Sequence, residues 1–144
     1  PRNPMPETNA EKFRRLVNAF NEGTAEDVIQ EIVADDFRHT NAPPGTPSDR
    51  EAWIGATKMY HAAFPDIHVE ITDIVSDGDM VAVHEVVTGT HSGDALGLPP
   101  TGKSATVEAV HFVKFRDGKI VERKSMTDMM SLFVQLGLVT PPGQ

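Results

Sequence analysis

The sequence contains no cysteine among its 144 residues. The chain therefore forms no disulfide, offers no thiolate nucleophile and cannot hold zinc or an iron–sulfur cluster through cysteine. Basic residues are also scarce, with 13 Lys and Arg against 21 Asp and Glu and a net charge of −8. Because nucleic-acid-binding domains rely on cationic contacts with phosphate, we expect no nucleic acid partner.

Long apolar runs are missing as well. A segment that crosses a bilayer needs roughly 18–20 consecutive apolar residues. The amino terminus also lacks the basic-then-hydrophobic pattern of a secretion signal. We therefore expect a cytoplasmic protein with no membrane partner.

Motifs for common cofactors and nucleophiles are lacking too. The sequence has no Walker-type phosphate-binding loop, no GxGxxG dinucleotide fingerprint and no GxSxG nucleophile elbow. The segment His84–Thr88 begins like the zinc motif HExxH but lacks the second histidine, and its alternating pattern predicts a strand rather than a helix. We predict no metal site and no cofactor, which leaves acid/base chemistry by side chains as the expected reaction type.

The residues that are present have an ordinary globular composition, 39% hydrophobic and 24% charged. A chain of this length fits one domain, so residues 1–144 are predicted to form a single unit. Proline-containing segments at 1–6 and 138–144 are predicted to be irregular tails.

The first half of the chain has helical patterns. Thr8 and Glu11 form a capping box ahead of a helical apolar stripe that includes Phe13 and Phe20. A second helix is predicted from Thr24, followed by a short strand over Phe37–Thr40. A third begins at the capping box of Ser48, Asp49, Arg50 and Glu51 and ends before Pro65.

The second half alternates with period two, which is typical of strands. The strongest local signal is Asp117-Gly118, because both residue types tolerate the positive φ of a tight hairpin turn. A last helix is predicted over Met129–Leu136. The fold class is therefore α+β, a curved antiparallel sheet that forms a cone around the N-terminal helices, with an apolar cavity for a small ligand. The predicted long strands are Ile67–Val75, Met80–His91, Ser104–Arg116 and Lys119–Thr127.

Strand alternation also predicts which polar side chains face that cavity. Glu85 and His91 share the valine-rich face of one strand, and His111 shares the apolar face of the next. On the last strand, the face that contains Ile120 is taken as inward. Buried groups of this kind have the shifted pKa values that acid/base chemistry near neutral pH requires. The predicted site comprises Asp128 and His111 as catalytic residues, with His39, Trp53, Met59, Phe64, Glu85, His91, Lys124 and Met126 as substrate-binding residues.

Several of these residues have structural interpretations of equal or greater weight. Asp128 precedes the last helix, so on position alone capping and catalysis are equally probable. Lys124 is a surface residue if the inward face is shifted by one position. His111 alone is more often a hydrogen-bonded core histidine, and Glu85 paired with Lys124 would be structural.

Scattered motifs make the chain similar to a known family. They are Phe64-Pro65-Asp66, Gly89-Thr90-His91, Leu96 to Gly102, Phe115 to Glu122, and Asp128 followed by Gln135-Leu136-Gly137. With these the sequence resembles the SnoaL-like polyketide cyclases. The resemblance implies the cystatin-like cone that the family shares with nuclear transport factor two, ketosteroid isomerase and limonene epoxide hydrolase.

The resemblance also implies a reaction. An aspartate at the end of the last strand is the family's general acid/base for an intramolecular aldol ring closure, and the matching position is Asp128. Many relatives have tryptophan where this chain has Lys124, and a cation there changes the charge of the pocket. The expected ligand is a small aromatic or polyketide molecule, such as an anthracycline precursor carried as a methyl ester.

In the resulting hypothesis Asp128 removes a proton from a methylene between carbonyl groups, and His111, Lys124 or a water stabilises the enolate. Three alternatives stay open on the same fold. They are a cofactor-free hydroxylase of an aromatic polyketide, an isomerase or hydratase of a small apolar molecule, and a non-catalytic ligand-binding or dimerisation module. A homodimer or homotetramer is expected, because this fold often self-associates through the outer face of its sheet.

Overall fold

The computed structural model describes residues 5–94 and 97–143, and these form four helices and five strands. Residues 1–4 and 144 of the predicted tails, and Leu96 of the family motif, lie outside the described residues. In chain order the elements are α1 (Asn9–Glu22), α2 (Ala25–Ile32), β1 (Val33–His39), α3 (Arg50–Ala63), β2 (His68–Asp77), β3 (Met80–Thr90), β4 (Ser104–Arg116), β5 (Lys119–Thr127) and α4 (Met129–Gln135).

α1, α3 and α4 each begin where a side chain accepts a hydrogen bond from a free N–H group of the first turn, whereas Thr24 makes no such bond to α2. The predicted capping box of α1 is present, since the Thr8 side chain accepts from the Glu11 N–H and the Glu11 carboxylate accepts from the Thr8 N–H. α3 is capped by Asp49 rather than by Ser48, because the Asp49 carboxylate accepts from the Ala52 N–H at 2.9 Å. Among the described residues, no helix has both the length and the apolar character needed to cross a membrane.

The strands form one sheet in the order β1-β5-β4-β3-β2. The pairs from β2 to β5 are antiparallel, as predicted, and β1 adds a parallel edge beside β5. β1 begins earlier than the predicted Phe37–Thr40, because α2 ends at Ile32 and the strand starts at Val33, which is fully buried together with Phe37. The α+β prediction is confirmed, with this parallel edge as an addition.

The hairpin between β4 and β5 determines which side chains of β5 face the helices. Asp117 and Gly118 have φ values of 52° and 77°, so the predicted tight turn is present. In the strand pairs next to the turn, however, Phe115 of β4 lies opposite Ile120 of β5, whereas Lys114 lies opposite Glu122. Val121 is therefore an extra residue in β5, a β-bulge, and both it and Ile120 are buried.

The bulge reverses the alternation of every later residue in β5. Arg123 and Ser125 face the helices, whereas Lys124 and Met126 are exposed on the outer face of the sheet. The predicted inward placement of Lys124 and Met126 is therefore wrong. Its starting point, an inward Ile120, is correct, but the face does not continue past Val121.

Two clusters of buried side chains join the helices to the inner face of the sheet. The larger cluster includes Phe13 of α1, Ile29 of α2, Phe37 of β1 and Phe115 of β4. The smaller cluster lies at the other end, between the end of α3, β4 and α4. Near the junction of these clusters, polar side chains reach the inner face from β3, β4 and β5.

Candidate active site

Two adjoining cavities lie between the helices and the sheet. The larger cavity, about 340 Å³, extends between α1, α3, β1 and β5 and has aromatic walls that include Phe13, Phe37 and Trp53. The smaller cavity, about 160 Å³, lies towards α4 and is lined mainly by apolar side chains. Four residues contribute to the lining of both cavities: Tyr60, Glu85, His111 and Thr127.

A chain of three polar side chains crosses this boundary from β3 to β5. His111 of β4 hydrogen-bonds Glu85 of β3 through Nε2, with 2.7 Å between Nε2 and Oε1. Through Nδ1 it bonds Ser125 of β5, with 2.7 Å between Nδ1 and Oγ. Glu85 and His111 were predicted to face inward and do so, with side chains 7% and 15% exposed.

The hydrogen bonds determine which nitrogen of His111 can act as a base. An ionised Glu85 carboxylate only accepts, so the hydrogen of the neutral imidazole lies on Nε2. Nδ1 then has the free lone pair and accepts from the Ser125 hydroxyl. A proton taken up at Nδ1 produces an imidazolium beside the Glu85 carboxylate, which stabilises it. The arrangement therefore places an acid/base group beside both cavities.

A second polar group lies in the larger cavity, centred on Arg123 of β5. The Arg123 guanidinium carbon is 4.1 Å from the centre of the Trp53 ring, a close cation–π contact. Its Nη2 is 3.5 Å from Nδ1 of His39. Burial lowers the pKa of Arg123 to about 10, although the charge of Glu85 acts in the opposite direction.

His39 lines the larger cavity, as the sequence predicted. Its pKa lies below the usual range because burial disfavours the imidazolium, and the positive charge of Arg123 adds to this effect. The nearby Asn41 side chain partly opposes the shift. His39 is therefore protonated to a smaller extent than an ordinary histidine at the same pH.

This shift predicts a pH effect on stability. Below about pH 6.5 the unfolded chain binds a proton at His39 that the folded chain resists, so stability falls as the pH falls. We expect a His39→Gln variant to lose less free energy of unfolding than the wild type between about pH 7.5 and 5. Urea unfolding at both pH values measures the difference, and carboxylates elsewhere cancel in the comparison. An identical loss in both proteins contradicts the prediction.

The wall of the smaller cavity is fixed by the residues that follow α3. Phe64 lines this cavity and packs against the ring of His91, with 5.3 Å between ring centres. Asp66 accepts two hydrogen bonds from Thr90, from its N–H at 2.7 Å and its hydroxyl at 2.8 Å, and these lower the pKa of Asp66. His91 is fully buried and bonds Thr101, so it lies behind the cavity wall rather than in it.

Four other predicted site residues lie outside both cavity linings. Asp128 is exposed, and its carboxylate accepts from the Ser131 N–H at 3.0 Å as the N-cap of α4. Its predicted inward orientation is therefore wrong, and its catalytic role stays a prediction. Met59 is 38% exposed on α3 and Met126 is 69% exposed on β5, and neither lines a cavity. The Lys124 side chain is on the outer face of the sheet. Trp53 and Phe64 do line the cavities.

The sequence reading missed Arg123 and Ser125, because they belong to the face of β5 that was taken as outward. One signal pointed to the bulge: Ile120 and Val121 are adjacent apolar residues just after a two-residue turn. Within residues 5–94 and 97–143, no group of three or more His, Asp or Glu side chains could hold a metal ion.

Comparison with known proteins decides the family. Residues 11–136 match the family model described as SnoaL-like polyketide cyclase. The chain belongs to the SnoaL-like polyketide cyclase family. Membership makes this SnoaL-like protein an enzyme, and it confirms the resemblance found in the sequence motifs.

Three relatives illustrate the range of the family. The aklanonic acid methyl ester cyclase DnrD from Streptomyces peucetius is 29% identical, over 90% of this chain and 91% of its own. The structure of IdmH, a candidate polyketide cyclase from Streptomyces antibioticus, is 36% identical with a TM-score of 0.77 and covers 90% of this chain and 99% of its own. AclR, a candidate hydroxylase from Streptomyces galilaeus, is 27% identical with a TM-score of 0.80, covering 92% and 87%.

Proposed function

We propose that this SnoaL-like protein closes a ring of an aromatic polyketide by an intramolecular aldol reaction, without a metal or coenzyme, and that His111 moves the proton. The observation that supports this most is the hydrogen-bonded series Glu85, His111 and Ser125, which lies where the two cavities meet. A ligand in either cavity thus borders the same acid/base group.

The proposed reaction starts at a methylene flanked by two carbonyl groups, whose proton is acidic enough for an imidazole base. A change of the Ser125 rotamer moves its hydroxyl oxygen away from Nδ1 of His111, and this nitrogen then takes the proton while Glu85 stabilises the imidazolium. The resulting enolate carbon attacks a ketone of the same molecule, forming a carbon–carbon bond. The new alkoxide then takes the proton back from His111. The cavity walls hold the substrate in a folded conformation that favours this attack.

Asp128 is the competing candidate for the proton transfer. The family resemblance assigns it this role, but its carboxylate caps α4 and lies outside both cavity linings. To act as the base, it would have to leave the Ser131 N–H and turn towards the cavity. His111 already lines both cavities and requires only that the Ser125 side chain turn away from Nδ1, so we assign it the role.

We propose a substrate with a planar aromatic body and a dicarbonyl side chain. The larger cavity supports this, because its walls are formed largely by aromatic and aliphatic side chains. The relative DnrD is named for aklanonic acid methyl ester, which makes that compound the first substrate to test.

Product analysis tests the reaction type. We expect the purified protein to convert aklanonic acid methyl ester, or a related dicarbonyl anthraquinone, into a product of unchanged mass in which one ketone carbon has become an alcohol carbon by ¹³C NMR. Loss of water from the same product would still indicate ring closure. An unchanged carbon skeleton after incubation with a panel of such substrates would contradict the proposal.

A second candidate function, hydroxylation, is favoured by one observation, the similarity to AclR at a TM-score of 0.80. In that case the product gains one oxygen atom and its formation depends on molecular oxygen. The same mass measurement therefore separates the two reactions, and an anaerobic incubation provides the control.

Self-association through the outer face of the sheet also stays a prediction. Three apolar side chains exposed there support it, Val110 and Phe112 of β4 and Met126 of β5. A cytoplasmic location stays a prediction as well.

A further inference from the structure

In the part of the chain that the structure describes, the buried guanidinium of Arg123 has no counter-ion. Its Nε is buried without a hydrogen-bond partner, and among the described residues no carboxylate lies within 4 Å of the Arg123 nitrogens. The cation contacts the face of Trp53 instead, and it lines the larger cavity. Because a buried charge without a partner is costly, this arrangement suggests a ligand that supplies the partner.

A second buried donor belongs to His39, which lines the same cavity. Arginine nitrogens only donate, so the contact of Arg123 Nη2 with His39 requires Nδ1 of His39 to accept. The hydrogen of the neutral imidazole then lies on Nε2, and this buried atom also has no partner among the described residues. Two unpartnered N–H groups, Nε of Arg123 and Nε2 of His39, thus belong to residues that line one cavity.

We propose that these two groups form a carboxylate-binding subsite of the larger cavity. A carboxylate has two oxygens that each accept hydrogen bonds, and its negative charge matches the guanidinium. The Trp53 ring covers one flat face of the Arg123 guanidinium, and the aromatic wall of the cavity would receive an aromatic body. The preferred ligand class is therefore an aromatic carboxylic acid in its ionised form.

The subsite also narrows the substrate class, a step that rests on the proposed function. If the reacting polyketide binds with its carboxyl group at Arg123, a free acid should bind more tightly than its methyl ester, which has no charge to offer the guanidinium. DnrD is named for a methyl ester, so this chain would differ from that relative in the form of substrate it prefers.

The test uses Trp53, the only tryptophan in the chain, as a built-in reporter. Benzoate and its neutral analogue benzamide are titrated separately while Trp53 fluorescence is recorded. We expect benzoate to bind roughly tenfold more tightly than benzamide, since hydrogen bonds to a charged group contribute more than those to a neutral group. Thermal unfolding should show stabilisation by benzoate and little by benzamide.

Two variants and a control assign the preference to Arg123. Arg123→Met should bind the two compounds equally and keep or raise the melting temperature, because a buried cation without a partner is removed. Arg123→Lys should keep only part of the preference, since lysine lacks the planar fork. Lys124→Met removes the same charge from the adjacent, outward-facing position and should leave the preference unchanged.

Equal binding of benzoate and benzamide to the wild type would overturn the inference, as would an unchanged preference in Arg123→Met. If that variant does not fold, an unchanged preference in Arg123→Lys has the same meaning. No turnover enters these measurements, so their failure leaves the proposed function intact. Conversely, a protein that binds benzoate through Arg123 but closes no ring would contradict only the proposed function.

Discussion

A His111→Gln variant should close the ring roughly 10²- to 10⁴-fold more slowly than the wild type, the usual contribution of a positioned acid/base group. Glutamine keeps a polar side chain between Glu85 and Ser125, but it cannot take up a proton at neutral pH. The substrate KM should change little, because glutamine is close to histidine in size and the other lining residues of both cavities are unchanged. Steady-state assays on the substrate identified by product analysis measure both constants, and circular dichroism checks the fold.

Glu85→Gln should act in the same direction as His111→Gln. Its amide still occupies the position 2.7 Å from Nε2 of His111, but it has no charge to stabilise the imidazolium. A Glu85→Gln enzyme of full activity would leave the carboxylate without a part in proton transfer.

Asp128→Asn is the matched comparison, because asparagine caps helices about as well as aspartate and only the basic group is lost. We expect this variant to keep its rate to within about tenfold, as a carboxylate outside the cavity lining is not required for proton transfer by His111. If Asp128→Asn lost more of its ring-closure rate than His111→Gln, the proton transfer would be assigned to Asp128, as the family resemblance implies.

Local sequence signals predicted most of the framework of this site. The Asp117-Gly118 turn and the alternation of β3 and β4 depend on neighbouring residues only, and they correctly place Glu85 and His111 on the inner face. The capping box of α1 is local in the same sense. Where adjacent residues decide the structure, the sequence pattern was sufficient.

Which side chains of β5 face the cavity could not be predicted in this way, because their orientation depends on how β5 pairs with β4. Without a bulge, Lys114 of β4 would lie opposite apolar Val121, which would then point outward. With the bulge, Lys114 lies opposite Glu122 of opposite charge, and Val121 is buried. Because of this one extra residue, Arg123 rather than Lys124 faces the cavity, so the positive charge in the cavity belongs to a different residue from the one predicted.

Asp128 shows a different limit of sequence reading. Its position after a strand and before a helix fits both a cap and a catalytic group, and only the direction of the carboxylate separates the two. The parallel pairing of β1 was equally hidden, since β1 and β5 are far apart in the chain. That pairing brings His39 beside Arg123 and so creates the polar end of the larger cavity.

Replacing Gly93 by alanine should destabilise the protein strongly, because there is no room for a Cβ atom. A Cβ at Gly93 would lie 1.7 Å from the Ala62 carbonyl oxygen and 2.8 Å from its carbon, both backbone atoms that cannot rotate away. The Gly93 N–H also donates to the Ala63 carbonyl at 3.0 Å. Steric displacement together with a weakened hydrogen bond should cost about 3 kcal/mol in the free energy of unfolding.

Gly55→Ala is the control for Gly93→Ala, because an added Cβ there meets no atom within 4 Å. Gly55 lies in α3, where alanine is the better helix former, so this variant should gain roughly 0.5–1 kcal/mol. The urea midpoints of the two variants should therefore shift in opposite directions from the wild type, and a shift in the same direction would contradict the steric argument.

Gly93 joins the segment after β3 to the end of α3, next to Phe64. Ligand binding in the smaller cavity should weaken together with stability, since displacing this contact also displaces the Phe64 wall.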